Sequence, residues 1–415
     1  MYINKIKNIR KSFDNNIKKT QLDFDDFLSE KYNANIYLKR EDLQQTRSFK
    51  IRGSYNKIMN INPEILADKN LRLVTASAGN HSQGFAYCCA KLQIKGTIFL
   101  PISTPNQKVD RIKYFSKDFC EIIHFGNNFN ETLVKATQFS DDNNCVFIHP
   151  FDDYDVIDGQ ATIADELLSQ INNIDIIIVP VGGGGLISGV ARYLKEFDSN
   201  ITIIGVEPEG CQSMKLSYDF NKRIFIDNID TFVDGASVPQ IGKIPFDISR
   251  NLIDAFLSPK NGELCGEILR LYNQNGIIVE PAGGLATSVL NQLDTNMIKN
   301  KNIICLLSGG NNDLLRYNDY LNKYLVFKNL RHYFTINFKQ KPGELKNFVN
   351  NVLGDSDDII KFEYLKKTNN TSGSVFVGLE ISNESNLNLI INNMIKFNYI
   401  FNKISPSDNL YDLLV

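Results

Sequence analysis

Residues 176–186 read Ile176-Ile177-Ile178-Val179-Pro180-Val181-Gly182-Gly183-Gly184-Gly185-Leu186, an apolar run followed by four consecutive glycines. Its apolar half is typical of a buried strand, and the residues that follow have the spacing of a helix. A strand, a glycine loop and a helix in this order direct main-chain amides and the positive helix end toward an anion. The dinucleotide fingerprint fails because Ile187 and Ser188 replace its third glycine, and no P-loop Gly-Lys-Ser/Thr follows. A phosphate site is predicted, with a flexible turn as the alternative.

A candidate cofactor lysine lies far upstream, in Ser48-Phe49-Lys50-Ile51-Arg52-Gly53. Lys50 lies beside an aromatic residue and is a candidate for the amine that holds an aldehyde as a Schiff base. An amine for an aldehyde and amides for a phosphate together describe a socket for pyridoxal 5'-phosphate. The alternative is that Lys50 belongs to a solvated face shared with Arg47 and Arg52.

Two further polar loops follow short apolar runs. Ser77-Ala78-Gly79-Asn80-His81 comes after Leu71-Arg72-Leu73-Val74, and Ser308-Gly309-Gly310-Asn311 comes after Ile303-Ile304-Cys305-Leu306-Leu307. Between residues 36 and 326 such runs alternate with helical patterns, which predicts mostly parallel sheets covered by helices. Ligands of open α/β sheets bind beyond the carboxyl ends of the strands, so we expect these loops to share one site.

These four motifs, in this order, resemble the fold-type II pyridoxal phosphate enzymes, and more narrowly the short biosynthetic threonine dehydratases (threonine ammonia-lyases). The resemblance runs from about Ile36 to the C-terminus. It implies an α/β catalytic region over residues 1–326, similar to tryptophan synthase β and built from two open, mostly parallel α/β domains. The smaller domain, about residues 54–155, would be inserted in the larger one, with the cofactor between them.

The resemblance also implies roles at the cofactor, with Lys50 and Ser308 as the catalytic residues. Lys50 would hold pyridoxal phosphate and then act as the base at the substrate Cα, so its pKa must fall below the ordinary value of about 10.4. Ser308 would face the pyridine nitrogen, where a neutral hydroxyl favours β-elimination over transamination. Phe49 would pack against the ring, and Asn80 would donate to the ring hydroxyl oxygen. The phosphate would be bound by Gly182, Gly183, Gly184, Gly185 and Leu186.

A separate loop would hold the substrate carboxylate. Related serine racemases have a serine where Ala78 stands, so the resemblance argues against racemisation. Glu280, in Glu280-Pro281-Ala282-Gly283-Gly284, would lie near the cofactor ring. The expected carboxylate loop consists of Ser77, Ala78, Gly79, Asn80 and His81.

After Val326 the pattern changes to strand, helix, two strands, helix and strand, which predicts a ferredoxin-like βαββαβ unit. The unit covers residues 331–405, and Asn369-Asn370-Thr371-Ser372-Gly373 is the expected turn between its central strands. It resembles an ACT-like regulatory domain, with Pro342-Gly343-Glu344-Leu345 where that family turns from strand to helix. An oligomerisation module without a ligand is the alternative.

Composition and charge restrict the class of protein, its partners and its cell compartment. A chain of 415 residues predicts two or three domains, and a net charge of −2 gives no electrostatic reason to bind nucleic acid or an anionic membrane. Seven cysteines without a C-x-x-C, and an N-terminus without the apolar core of a signal peptide, favour the cytoplasm. We expect no metal site, because the histidines show no metal-ligand spacing; they are His81, His124, His149 and His332.

The sequence therefore predicts a cytoplasmic enzyme that converts L-threonine to 2-oxobutanoate and ammonia and is inhibited by isoleucine. L-serine is a second possible substrate, because one methyl group in a pocket contributes only ~1–3 kcal/mol of discrimination. A catabolic serine/threonine dehydratase and a non-catalytic amino-acid sensor on the same fold remain alternatives. The resemblance implies a homo-oligomer, usually a tetramer.

Overall fold

The computed structural model describes residues 1–66, 68, 70–364, 371–406, 408 and 411. The chain divides into two compact units, Met1–Leu314 and Leu315–Val415, each with its own apolar core. The sequence-based boundaries at 326 and 331 stay a prediction, and the structure groups the helix Arg316–Phe327 with the second unit. Within these described residues, no helix has the length and apolar character needed to cross a bilayer.

The first unit consists of short strands that alternate with helices. Its strands are β1 (Leu22–Phe24), β2 (Asn35–Arg40), β3 (Arg72–Ala76), β4 (Lys95–Leu100), β5 (Cys120–His124), β6 (Val146–Phe147), β7 (Ile176–Pro180), β8 (Thr202–Val206), β9 (Ala255–Leu257) and β10 (Asn302–Leu307). Its helices are α1 (Tyr2–Ser12), α2 (Asp26–Tyr32), α3 (Lys50–Met59), α4 (Pro63–Leu66), α5 (Asn80–Leu92), α6 (Asn106–Ser116), α7 (Phe129–Asp142), α8 (Tyr154–Leu168), α9 (Gly185–Phe197), α10 (Ser213–Asp219), α11 (Lys243–Ser249), α12 (Asn261–Asn275), α13 (Pro281–Ser288) and α14 (Thr295–Ile298). Two 3₁₀ turns cover Glu41–Leu43 and Leu290–Gln292.

The larger sheet of this unit has six strands in the order β1-β2-β10-β7-β8-β9. All neighbours are parallel except β1, which runs antiparallel to β2 at the edge. The apolar runs of β7 and β10 are buried over nearly their whole length, as expected of parallel strands covered on both faces. The predicted α/β class is confirmed, whereas the short strands β1 and β9 were not predicted.

The smaller sheet has four parallel strands in the order β5-β4-β3-β6. Its strand β3 ends at Ala76, immediately before the loop Ser77–Gly79. In the larger sheet β7 ends at Pro180 before the glycine run, and β10 ends at Leu307 before Ser308. The three polar motifs therefore lie at strand carboxyl ends, where open parallel sheets bind ligands.

A buried ion network anchors helix α3. Arg52 is fully buried and donates to Glu41 at 2.8 Å and to Glu166 at 2.7 Å. Lys39 Nζ, also fully buried, donates to the same Glu166 carboxylate at 2.7 Å. Two cations and two carboxylates balance in charge, as buried ions require. Because Arg52 is fully buried, the alternative in which Lys50 shares a solvated face with Arg47 and Arg52 is wrong.

The second unit contains the predicted βαββαβ order. Its elements are α15 (Arg316–Phe327), β11 (Arg331–Lys339), α16 (Glu344–Val352), β12 (Asp358–Tyr364), β13 (Ser372–Glu380), α17 (Asn386–Lys396) and β14 (Ile400–Ile404). The strands form an antiparallel sheet in the order β12-β13-β11-β14, which is the ferredoxin-like topology. Of the expected turn at 369–373, Asn369 and Asn370 lie outside the described residues, whereas Ser372 and Gly373 belong to β13.

We expect Arg52→Met to destabilise the protein by about 3–5 kcal/mol, because it leaves two buried carboxylates with one fewer cation. Chemical denaturation followed by circular dichroism measures the effect. Arg72→Met is the matched control, since the Arg72–Glu121 pair is exposed and contributes about 0–1 kcal/mol. Equal effects of the two substitutions would contradict the anchoring role of Arg52.

Candidate active site

Lys50 begins helix α3 and is tied to the loop that follows β10. The amide of Phe49 donates to the carbonyl of Ser308 at 3.1 Å, and Ser48 forms a β-bridge with Gly309. A Cβ on Gly309 would lie 2.6 Å from Glu280 Oε1 and 3.1 Å from Ser48 Cβ, so only glycine permits this approach. Two motifs that are distant in sequence are thereby joined around one lysine.

Lys50 is half-buried, and its amine lies among protein groups. Its Nζ donates to the carbonyl of Pro150 at 2.8 Å and lies 5.3 and 5.9 Å from the ring centroids of Phe49 and Phe151. Burial lowers the pKa of Lys50 to about 8, although the charge of Glu280 acts in the opposite direction. A lower pKa increases the fraction of neutral amine, which is the form that attacks an aldehyde or removes a proton.

The glycine loop between β7 and α9 is packed too closely for side chains. A Cβ on Gly183 would lie 2.3 Å from Phe151 Cγ, and one on Gly185 would lie 2.9 Å from the Phe151 carbonyl oxygen. Gly184 has φ +88°, a left-handed conformation that glycine adopts without steric cost. The loop opens the thirteen-residue helix α9, so its amides and the positive helix end provide an anion site.

Two cavities meet at these residues. A cavity of about 40 Å³ lies against the glycine loop, and a second cavity of about 530 Å³ provides room for a larger ligand. Both cavities are lined by Phe49, Lys50, Phe151, Gly183 and Ser308. An amine, an amide nest that no Cβ obstructs and a neutral hydroxyl border one space, so the residues present fit pyridoxal phosphate.

Ser308 lies at the end of β10 and is buried. Its Oγ donates to the carbonyl of Ala282 at 3.2 Å. The Ser308 hydroxyl carries no charge and borders both cavities. Its motif, Ser308-Gly309-Gly310-Asn311, contains no carboxylate. Its expected position at a pyridine nitrogen stays a prediction.

The loop Ser77–Gly79 and the first turn of α5 form another wall of the larger cavity. Ser77 Oγ accepts a bond from the Gly79 amide at 3.2 Å, which shapes the loop. His81 is buried, with Nδ1 3.3 Å from Ser54 Oγ and Nε2 3.1 Å from the Ile148 carbonyl. Burial lowers the pKa of His81 to about 3, so its ring is neutral at neutral pH.

An amide–carboxylate chain fixes Asn80, and sequence reasoning missed it. Asn80 Nδ2 donates to Glu280 Oε1 at 2.5 Å, and Asn80 Oδ1 accepts from Asn311 Nδ2 at 2.8 Å. Asn311 also donates to the carbonyl of Thr46 at 2.8 Å. The chain sets which end of the Asn80 amide is the donor, and the second Nδ2 hydrogen can serve a ligand. Glu280 is therefore the partner of Asn80.

In the described part of the chain, no group of three or more histidine, cysteine, aspartate or glutamate side chains is arranged to hold a metal ion.

Comparison with known families agrees with this site. Residues 14–309 match the family of pyridoxal-phosphate dependent enzymes, so the similarity begins earlier than the Ile36 that the motifs suggested. Residues 322–414 match the C-terminal regulatory domain of threonine dehydratase. The L-threonine dehydratase biosynthetic IlvA of Staphylococcus epidermidis is 43% identical over 406 residues, covering 97% of this chain and 95% of that protein. The enzyme of the same name from Halalkalibacterium halodurans is 42% identical over 397 residues, 95% of each chain.

Two solved structures are also similar to this chain. The processed form of threonine deaminase isoform 2 from Solanum lycopersicum superposes with a TM-score of 0.69 at 36% identity, over 74% of this chain and 88% of that one. Maize serine racemase superposes with a TM-score of 0.71 at 27% identity, over 78% of this chain and 97% of that one. The chain thus belongs to the pyridoxal-phosphate-dependent enzyme family and, within it, to the biosynthetic L-threonine dehydratases.

Proposed function

We propose that this protein dehydrates and deaminates L-threonine to 2-oxobutanoate and ammonia, the first step of isoleucine synthesis from threonine. The observation that carries the proposal is the Lys50 amine, whose pKa is lowered to about 8 and which borders a cavity shared with the glycine loop and Ser308. Full-length similarity to biosynthetic L-threonine dehydratases supports the choice of substrate.

Lys50 has two tasks in this proposal. When bound, pyridoxal phosphate supplies the aldehyde that captures amines and the electron sink that acidifies the hydrogen on Cα. The Lys50 amine would anchor the cofactor and would also take the substrate Cα proton at Nζ. A lysine with a pKa near 8 is a better base at neutral pH than one at about 10.4.

The surrounding residues orient the reactants. The amides of residues 182–186 would bind the phosphate, and Asn80, held by Glu280 and Asn311, would direct its free Nδ2 hydrogen toward the ring hydroxyl oxygen. The loop 77–81 lies at the N-terminus of α5, where the helix dipole favours a carboxylate. Phe49 lies beside the Lys50 amine and would pack against the ring.

Ser308 would select elimination. An aspartate beside a pyridine nitrogen would keep that nitrogen protonated, whereas a neutral hydroxyl does not. Electron density that arrives at Cα is then better used to expel a β-substituent. Loss of the Cα proton and the β-hydroxyl yields 2-aminocrotonate and water, and addition of water to the released enamine yields 2-oxobutanoate and ammonia.

Regulation belongs to the second unit in this proposal. Its sheet has the ferredoxin-like order, and residues 322–414 match a regulatory domain of threonine dehydratase. We propose that isoleucine binds in or beside this unit, that the active form is a homotetramer and that the enzyme works in the cytoplasm. An effector acts only through different affinities for two states of the assembly.

Replacing Lys50 with alanine tests the catalytic assignment. We expect Lys50→Ala to lose the borohydride-reducible cofactor adduct and several powers of ten in turnover, because anchor and base are removed together. Keto-acid release from L-threonine and from L-serine is the assay, and it also measures which substrate is preferred. Lys57→Ala, on the same helix and paired with Asp153 and Asp155, is the matched control and should keep its activity. Substantial elimination by Lys50→Ala would refute the assignment.

Titration with isoleucine tests the regulatory assignment. We expect isoleucine to inhibit the full chain, with ~1–3 kcal/mol of coupling, and a parallel titration with valine shows which of the two amino acids regulates it. A chain ending at Leu314, the last residue of the first compact unit, should remain active and lose the inhibition. If the full chain does not respond to isoleucine, or the shortened chain is inhibited equally, the second unit is an assembly module.

A further inference from the structure

The chain turns at residues 149–152, just after β6, and the side chain of His149 stabilises this turn. His149 Nδ1 accepts hydrogen bonds from the main-chain amides of Phe151 at 3.2 Å and Asp152 at 2.7 Å. The ring of His149 packs edge-on against Phe151, with centroids 4.7 Å apart and planes at 89°. Side-chain acceptors that bond amides two and three residues ahead are a strong way to fix a turn, as asparagine does in Asx-turns.

Each residue of this turn supports a different part of the candidate site. The carbonyl of Pro150 accepts the bond from Lys50 Nζ, and Phe151 fills the space under Gly183 and Gly185. The carboxylate of Asp152 accepts from the amides of Lys243 and Ile244 at 3.0 and 2.8 Å, at the start of α11. One turn therefore touches the amine, the glycine loop and a neighbouring helix.

We propose that His149 is a positioning residue for the reaction: its Nδ1 fixes the turn Pro150–Asp152, and this turn places the Lys50 amine and supports the glycine loop. The inference rests on the proposed function for its kinetic consequences. His149 itself does not line either cavity, so it acts through Pro150 and Phe151.

The protonation state of His149 agrees with this role. An Nδ1 that accepts two N–H bonds requires the neutral tautomer with its proton on Nε2. Burial lowers the pKa of His149 to about 4, opposed by the charge of Asp152 and reinforced by that of Lys50. The acceptor therefore persists at neutral pH, and the charge of Lys50 helps to keep it.

A pair of substitutions separates hydrogen bonding from space filling. His149→Leu fills much of the same space and removes the acceptor, whereas His149→Asn provides an oxygen acceptor in place of Nδ1. We expect kcat on L-threonine to fall by about a hundredfold in His149→Leu, the cost of misplacing a reacting group by about 1 Å. KM should change little, and His149→Asn should recover most of the lost kcat. His124→Leu, at an exposed histidine at the end of β5, is the control and should match the wild type.

A second readout does not depend on turnover. In the cofactor-free protein, the rate at which trace acetic anhydride labels Lys50 is measured by mass spectrometry, and release from the Pro150 carbonyl should make labelling faster in His149→Leu. If His149→Leu fails to fold, His149→Ala is compared with His149→Asn in the same two assays.

The inference is overturned if kcat and labelling are unchanged without the acceptor, or if His149→Asn is as defective as His149→Leu. A wild-type protein that is inactive on threonine would instead refute the proposed function. The labelling comparison would then still decide the role of His149.

Discussion

The candidate active site depends on the surroundings of the Lys50 amine. The amine is largely shielded from water and its pKa is lowered, yet it still borders a cavity. Pro150 O accepts its hydrogen bond, and the Phe49 amide bonds the carbonyl of Ser308. Removing an ammonium from water costs free energy, so burial disfavours the charged form and lowers the pKa of Lys50. The same requirement brings the loops after β6 and β10 to the start of α3.

Such a site needs a rigid support, and the buried ions provide it. Arg52 lies on the helix that Lys50 begins, and its bonds to Glu41 and Glu166 connect that helix to the segment after β2 and to α8. Pairing two buried carboxylates with Arg52 and Lys39 leaves no net charge in this network. The helix is therefore fixed by interactions that do not involve the Lys50 amine.

The sequence predicted the parts of the site that carry a local signal. Four consecutive glycines after an apolar run indicate an anion loop, and the structure shows why glycine is required where Gly183 meets Phe151. The pairing of Asn80 with Glu280 was not predictable, because it joins residues far apart in the chain and each is an ordinary polar residue in its own motif. His149 was missed for a related reason: without metal spacing, a histidine gives no sign that it will hold a turn. Short strands such as β1 and β9 carry too few residues for a periodic pattern.

A measurement of the pKa of Lys50 tests most directly whether burial lowers it. Labelling of the cofactor-free protein with trace acetic anhydride over a range of pH, with mass spectrometry of the peptide that contains Lys50, gives the pH at which the amine loses its proton. Because neutral amine is the reactive form, labelling rises with pH and reaches its midpoint at the pKa. We expect a midpoint near 8. A midpoint near the ordinary value of about 10.4 would show that the Lys50 amine is solvated and that its pKa is not lowered by burial.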